Sequence, residues 1–482
     1  MPADAPRARG TAWALVALLG IGLGLRLYHL GPGLWYDEIE TLVEYVRSPL
    51  GRIITDYHST NQHPLYSVLA HFSIATLGES GAALRLPAAL LGTASLWAYY
   101  QFAARVGDRR EALLGAALLT VSYHHVWFSQ NARGYSGLLL LTLLATLAFL
   151  RLLREETTGW GSVAVYGVSS ALAVYIHPTA VLLSLSHALV LAWVWWAERR
   201  TRPRLGIRPG AGILLAAGLT LLLYAPVLSQ LVSTLAGRNP HAAQTDWQSP
   251  LWFVLESARG LAAGLPGGWI GVAAGVLVMT AGLIGLWRQS PTLCALCVLP
   301  GLLTAAILLV VKQNLWPRFF FFSAGFAVLI AIRGGFGLAR LLFGERGRVL
   351  ATGGAILAIL ASALTLPRAW GPKQDFLGAE RFVDQARSAD DAVVTVDLTE
   401  YPYLRWRQRD WAAAKSLVEL ERIEQQHRRT WLLYTFPVRL AVVQPEIWQR
   451  LAVQYDTAAV FPGTVGGGAV VVMVSKPAPP AP

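Results

Sequence analysis

Apolar residues along this chain fall into long runs separated by short polar stretches, and that pattern fixes the fold class before any motif does. Eleven segments of roughly 15 to 21 residues are apolar enough to cross a bilayer: about 11–28, 84–104, 111–127, 135–151, 160–176, 178–197, 211–231, 267–287, 292–311, 319–333 and 348–366. A span needs about 20 such residues, and in hydrocarbon the backbone can satisfy its own hydrogen bonds only as helix or closed barrel. Runs of this length predict helices. A shorter run, "HPLYSVLAHFSIATLG" at 63–78, starts with His63-Pro64 and reads as an interfacial helix. Upstream, "DEIETLVEYVRSPLGRII" places Ile39, Leu42, Val43 and Val46 at helical spacing with one wet face. The first loop, about 29–83, is therefore expected to carry two interfacial helices.

Charge tests this arrangement. With Arg7 and Arg9 placed in the cytoplasm, the cytoplasmic loops collect Arg105, Arg109 and Arg110, then Arg151 and Arg154, then the cluster from Arg199 to Arg208, then Arg288, then Arg333 to Arg348. The opposite loops hold few: Arg47, Arg52, Arg133, Arg238, Arg259, Lys312 and Arg318. This is the bias that sets membrane orientation. Counting 63–78 as a span would invert it. Eleven spans place the C-terminus outside, and the first span, without a small-residue cleavage site, reads as a retained anchor.

After Pro367 the pattern changes. Residues 368–482 carry thirteen acidic residues against fourteen Lys and Arg. "DDAVVTVDL", "TWLLYTFP" and "GGGAVVVMVSK" read as strands, and "DFLGAERFVDQARS" and "QPEIWQRLAVQY" as helices. The expected organisation is a transmembrane domain over 1–366 and a soluble extracytoplasmic α/β domain over 367–482, its end from about 476 disordered.

Composition narrows the class further. The 482 residues are 54% hydrophobic and only 14% charged, well below the quarter usual for soluble proteins. The formal charge of +12 sits in short clusters between apolar runs, with no continuous basic face, which argues against nucleic acid as a partner. Cys294 and Cys297 lie inside an apolar run and read as small core residues. His124 and His125 are about 100° apart on a helix, a poor arrangement for sharing one ion.

With this topology the unusual polar residues gather on one side. Asp37, Glu38, His58, Asn61, His63, His124, His125, Gln130, Asn131, Arg133, Tyr135, His177, Lys312, Asn314 and Arg318 all fall at the outer ends of spans. Intramembrane or near-membrane groups of this kind mark substrate paths. Carboxylates can take a proton from an attacking hydroxyl, and arginine or lysine can hold a phosphate. A substrate presented at the outer leaflet needs a lipid anchor, so a lipid-linked phosphosugar fits the set.

The segments "LWYDEIETL", "NQHPLYSVLAHFSIATLG" with "AALRLPAALLGTASLWAYY", and "FSQNARGYSGLLLLTLLA" resemble the GT-C glycosyltransferases, on the bacterial protein O-mannosyltransferase-like branch (glycosyltransferase family 39) with kinship to lipid A aminoarabinose transferases. The resemblance covers about 11–335. It implies a polyprenyl-phosphate-sugar donor, a lipid, glycan or protein acceptor, transfer with inversion, and an inner-membrane location with the site on the periplasmic side. It maps the base onto Asp37, with Glu38 as the second catalytic candidate, and the donor-binding groups onto His63, Arg133, Tyr135, His177, Lys312 and Arg318. Asn131 stands where many relatives have an acid. No cofactor is implied as required; some relatives hold a divalent cation, yet no ligand spacing here demands a metal. A lipid-substrate transporter or flippase, or a non-catalytic envelope scaffold, are the competing readings. Neither internal repeats nor midplane charges favour transport.

Overall fold

The computed structural model describes residues 4–154, 159–202, 204–236, 247, 249–264 and 267–477. Arg238 and the terminal residues 478–482 lie outside the described residues.

The membrane part is a bundle of helices: α1 (Asp4–Leu27), α2 (Tyr36–Glu40), α3 (Leu50–Thr55), α4 (Pro64–Leu77), α5 (Gly81–Val106), α6 (Arg109–Thr120), α7 (Tyr123–Ser129), α8 (Tyr135–Arg154), α9 (Trp160–Ile176), α10 (Val181–Glu198), α11 (Ile207–Tyr224), α12 (Leu228–Ala236), α13 (Pro250–Gly264), α14 (Trp269–Gln289), α15 (Pro291–Val310), α16 (Ala324–Phe343) and α17 (Gly347–Ala363). Among the described residues, seven helical stretches are long and apolar enough to cross a membrane, the last of them containing both α16 and α17. The protein is an integral membrane protein with a polytopic, all-α main body. Many span side chains, among them Leu214, Leu222, Ile270 and Leu341, point outward, as a lipid-facing surface requires.

Two expected elements differ. The segment 111–127 is not one helix: α6 ends at Thr120, and Ser122 accepts from His125 N to start α7 afresh. A hydroxyl cap competes there with helix continuation. In the first loop, α2 passes through a π-helical turn (Thr41–Val46) before α3, and α4 follows. Helix α13 had no counterpart among the apolar runs, because Glu256 and Arg259 interrupt it.

Close helix crossings use glycine. A Cβ on Gly282 of α14 would stand 2.0 Å from Ile330 O of α16, and one on Gly334 would stand 2.0 Å from Val278 O. In lipid, where burial gives little drive, such backbone approach supplies the packing.

Beyond α17 and a short helix α18 (Leu366–Ala369) comes the α/β part: α19 (Phe376–Ala386), β1 (Ala392–Thr395), β2 (Ala412–Ala413), α20 (Leu417–Gln426), β3 (Thr430–Tyr434), α21 (Pro437–Val443), α22 (Pro445–Gln454), β4 (Tyr455–Phe461) and β5 (Val470–Ser475). The sheet order is β2-β1-β3-β5-β4. The first three strands run parallel and β5 and β4 pair antiparallel. Strands β1 and β3 are buried throughout, which is why they read as unbroken apolar runs. β4 is a mostly exposed edge strand, YDTAAVF, without the alternation that marks a half-buried strand, and it escaped the sequence reading.

Candidate active site

Helix α2 is the centre of the site. Its position is set by a buried ion pair and by the α/β part. Glu38 is fully buried; Arg85 of α5 donates to both its oxygens (2.7 and 2.5 Å), and Ala132 N donates at 2.7 Å. Arg85 also donates to Leu30 O, Pro32 O and Gly33 O, so one guanidinium fastens the loop entry to α5. Burial pushes the Glu38 carboxyl up, but Arg85 and Lys373 outweigh it and hold it below the usual range. Glu38 thus faces the protein interior and does not line the cavity that Asp37 lines. At the helix start, Tyr36 N donates to Gln374 Oε1 (3.0 Å), while Gln374 Nε2 donates to Thr435 Oγ1 and Gly468 O.

Asp37 points the other way. It lines a cavity of about 890 Å³ between the membrane bundle and the α/β part. Its Oδ2 has no hydrogen-bond partner among the described residues and lies 3.8 Å from Arg318 Nη1. Arg318 sits on the turn Pro317–Ser323, stacked 4.8 Å over the Trp316 ring, and its Nε is also unpartnered. Asn131 lines the same cavity; its Oδ1 accepts from Trp35 Nε1 at 3.1 Å, and its buried Nδ2 has no partner. Aromatic rings of Trp35, Tyr36, Trp127, Phe128, Trp316 and Phe320 form much of the wall.

Behind this wall lies a buried layer of other expected residues. Arg133 donates to Thr41 Oγ1 (3.2 Å) and Asn61 O (2.6 Å), and its Nη2 faces His63 Nε2 at 2.8 Å. Gly134 N–H faces the other ring nitrogen of His63 at 3.1 Å. A neutral imidazole has one lone-pair nitrogen, so the shorter, charge-assisted contact from Arg133 takes it. Burial and then Arg133 hold His63 well below its ordinary pKa, and burial with Arg133 pushes His177 down to about 3; both rings are neutral. Their centroids are 4.9 Å apart, and Tyr135 packs on both, at 5.3 and 5.7 Å. Phe319 stacks edge-on to His177 at 5.4 Å, tying this layer to the Arg318 turn. The structure therefore brings Asp37, Arg318, Arg133, His63, Tyr135 and His177 into one region. Lys312 lies apart, exposed beyond the end of α15 with φ +54°, and does not line the cavity.

Two titratable groups were missed in the sequence. Glu40, one turn from Asp37, accepts from Asn61 Nδ2 (2.7 Å), and burial followed by the Asp37 charge pushes it up to about 7. The i, i+3 spacing from Asp37 was the available signal. Lys373 is buried in the connection to the α/β part, donates to Gln130 O (2.7 Å), and is brought down to about 7 by burial, against the pull of Glu38. Among the described residues, no group of three or more His, Cys, Asp or Glu side chains converges as a metal site.

Residues 61–229 match the sequence profile of dolichyl-phosphate-mannose-protein mannosyltransferases. Over nearly the whole length, the structure superimposes on that of ArnT from Cupriavidus metallidurans bound to undecaprenyl phosphate, with a TM-score of 0.56 and 12% identity, covering 96% of this chain and 98% of that one. The chain has the GT-C fold. The GT-C likeness extends to the oligosaccharyltransferase AglB from Archaeoglobus fulgidus, in complex with an inhibitory peptide and a dolichol-phosphate (TM-score 0.53, 12% identity, 96% and 74% of the two chains). No curated protein sequence matches the chain.

Proposed function

We propose that this protein transfers a monosaccharide from a polyprenyl-phosphate-linked donor to an acceptor hydroxyl or amine on the extracytoplasmic side, with inversion at the transferred carbon. The observation that carries the reading is Asp37: a buried carboxylate, free of hydrogen bonds at Oδ2, aimed into a large cavity beside one arginine. A buried carboxylate oxygen left without a hydrogen bond is costly, and its use is to take a proton from the acceptor. Arg318 is the cation placed to hold the donor phosphate and stabilise the charge that develops as the sugar leaves. The 3.8 Å contact between the two is too long for a hydrogen bond, so a substrate can part them at small cost.

The neighbouring charges suit an anionic donor. Arg26 and Arg133 are buried with carbonyl, hydroxyl and imidazole partners and, among the described residues, no carboxylate bonded to either. Their field at the end of the bundle favours a phosphate there. His63, Tyr135 and His177 are assigned to holding Arg133 and the Arg318 turn in place, Glu38 to anchoring α2. The match to the mannosyltransferase profile and the likeness to structures holding undecaprenyl phosphate or dolichol-phosphate support a lipid phosphate as the carrier. The arginine bias between loops supports an inner-membrane protein with a cytoplasmic N-terminus and an extracytoplasmic cavity.

The test is a binding and turnover assay in nanodiscs with undecaprenyl phosphate and radiolabelled polyprenyl-phosphate sugars. Arg318→Ala is expected to weaken undecaprenyl phosphate binding by at least tenfold, the scale of one lost charge-assisted contact. Unchanged binding by that variant would remove Arg318 from the role.

A further inference from the structure

The cavity has a second wall, and nothing in the transfer reaction described above uses it. That wall belongs to the α/β part, at the ends of two neighbouring parallel strands. β1 and β3 pair in register from Ala392↔Thr430 to Thr395↔Leu433, and both deliver their chains toward the cavity. Just beyond β1, Asp397 has φ +46°; just beyond β3, Phe436 has φ +49°. Neither is glycine, and an L-residue is strained in this conformation. Strain of this kind persists where a side chain has to be aimed. Here it aims two: Phe436 lines the cavity, and Asp397 grips Arg439, which also lines it, through Nε (2.8 Å) and Nη2 (3.1 Å). The carboxyl ends of adjacent parallel strands are also where open α/β sheets bind ligands.

We propose that Asp397, Arg439 and Phe436 form a glycan-binding acceptor subsite facing Asp37, which rests on the transfer reading above. The chemistry selects the ligand class. Asp397 and Arg439 neutralise each other, so the pair has no net charge with which to attract an ionic acceptor. Arg439 Nη1 takes no part in the pair, so the guanidinium that Asp397 holds in place keeps N–H donors for a sugar hydroxyl in the cavity it lines. Phe436 and Tyr36, both lining the cavity, offer apolar ring faces to the C–H side of a sugar ring. Across the same cavity Asp37 meets the hydroxyl that is to be glycosylated. A peptide acceptor would instead need unpaired backbone donors and acceptors along the wall.

The experiment uses the full chain in nanodiscs and saturation-transfer NMR with three probes: chitotriose, maltotriose and a serine- and threonine-rich hexapeptide. Undecaprenyl phosphate binding is measured on the same samples. Asp397→Asn and Phe436→Asn are the variants, since asparagine tolerates positive φ and keeps the backbone. At least one glycan should bind wild type and lose about tenfold in affinity in each variant, with undecaprenyl phosphate binding unchanged, the factor expected for one charged hydrogen bond. Glycan affinity equal in wild type and variants overturns the subsite, as does binding of the peptide alone or of no probe while undecaprenyl phosphate still binds. Failure of wild type to bind undecaprenyl phosphate would instead sink the transfer reading on which the subsite rests.

Discussion

Asp37 and Glu38 are consecutive residues whose carboxylates meet opposite surroundings. Glu38 is closed against Arg85 at 2.5 Å with every oxygen engaged, while Asp37 faces a cavity with Oδ2 unbonded and Arg318 at 3.8 Å. Adjacent side chains on a helix diverge by about 100°, which is enough to give one an anchoring role and leave the other exposed to chemistry.

The anchoring role makes a stability prediction. Arg85→Met leaves Glu38 as an uncompensated buried charge, which costs about 3–5 kcal/mol. Thermal unfolding in detergent should fall sharply for Arg85→Met and recover in large part for the double change Glu38→Gln with Arg85→Met. An Arg85→Met protein as stable as wild type would show that the pair does not hold the loop.

Glu40 predicts a pH dependence. Its carboxyl titrates near 7 in the folded protein against an ordinary 4.5, because burial and the Asp37 charge penalise ionisation. The folded state then binds more protons than the unfolded one between those values. Its contribution to stability is full below about pH 4.5 and is lost as pH rises to about 7. Glu40→Gln should flatten this part of the stability profile; an unchanged slope contradicts the assignment.

Lys373 works in the opposite sense. Burial brings its amine from an ordinary 10.5 down to about 7, so its contribution is present at high pH and lost as pH falls through 7. Lys373→Met should remove the loss seen on acidification from pH 10 to 7, read as unfolding temperature across that range.

Gln374 links the α/β part to the start of α2 through one side chain and three hydrogen bonds. Gln374→Ala should let α2 shift, lowering kcat by roughly tenfold with little change in donor KM, since small misplacements of a reacting group can cost up to about a hundredfold. A change confined to KM would mean that the link shapes binding instead.

Much of this fold was legible because lipid enforces simple patterns. The eleven apolar segments fall on helices, although 111–127 and 211–231 are each split, and the strands β1, β3 and β5 stood out as apolar runs. The break at Ser122 was hidden because both halves are apolar, and only a single cap separates them. In the site, Asp37 and Arg318 could be found as charges at span ends, but the split between Asp37 and Glu38 could not. It depends on Arg85, forty-seven residues away and buried within α5. The strained Asp397 and Phe436 carry no sequence mark at all, since their φ values arise from tertiary placement.

The most direct measurement is sugar transfer by wild type and Asp37→Asn, in nanodiscs, with a panel of radiolabelled polyprenyl-phosphate sugars and membrane glycolipid acceptors. Asparagine keeps the shape and removes the proton acceptor. Wild type is expected to transfer sugar, with the variant at least a hundredfold slower, the lower end of what general-base catalysis contributes, and undecaprenyl phosphate binding intact. Equal turnover by the two proteins would contradict it.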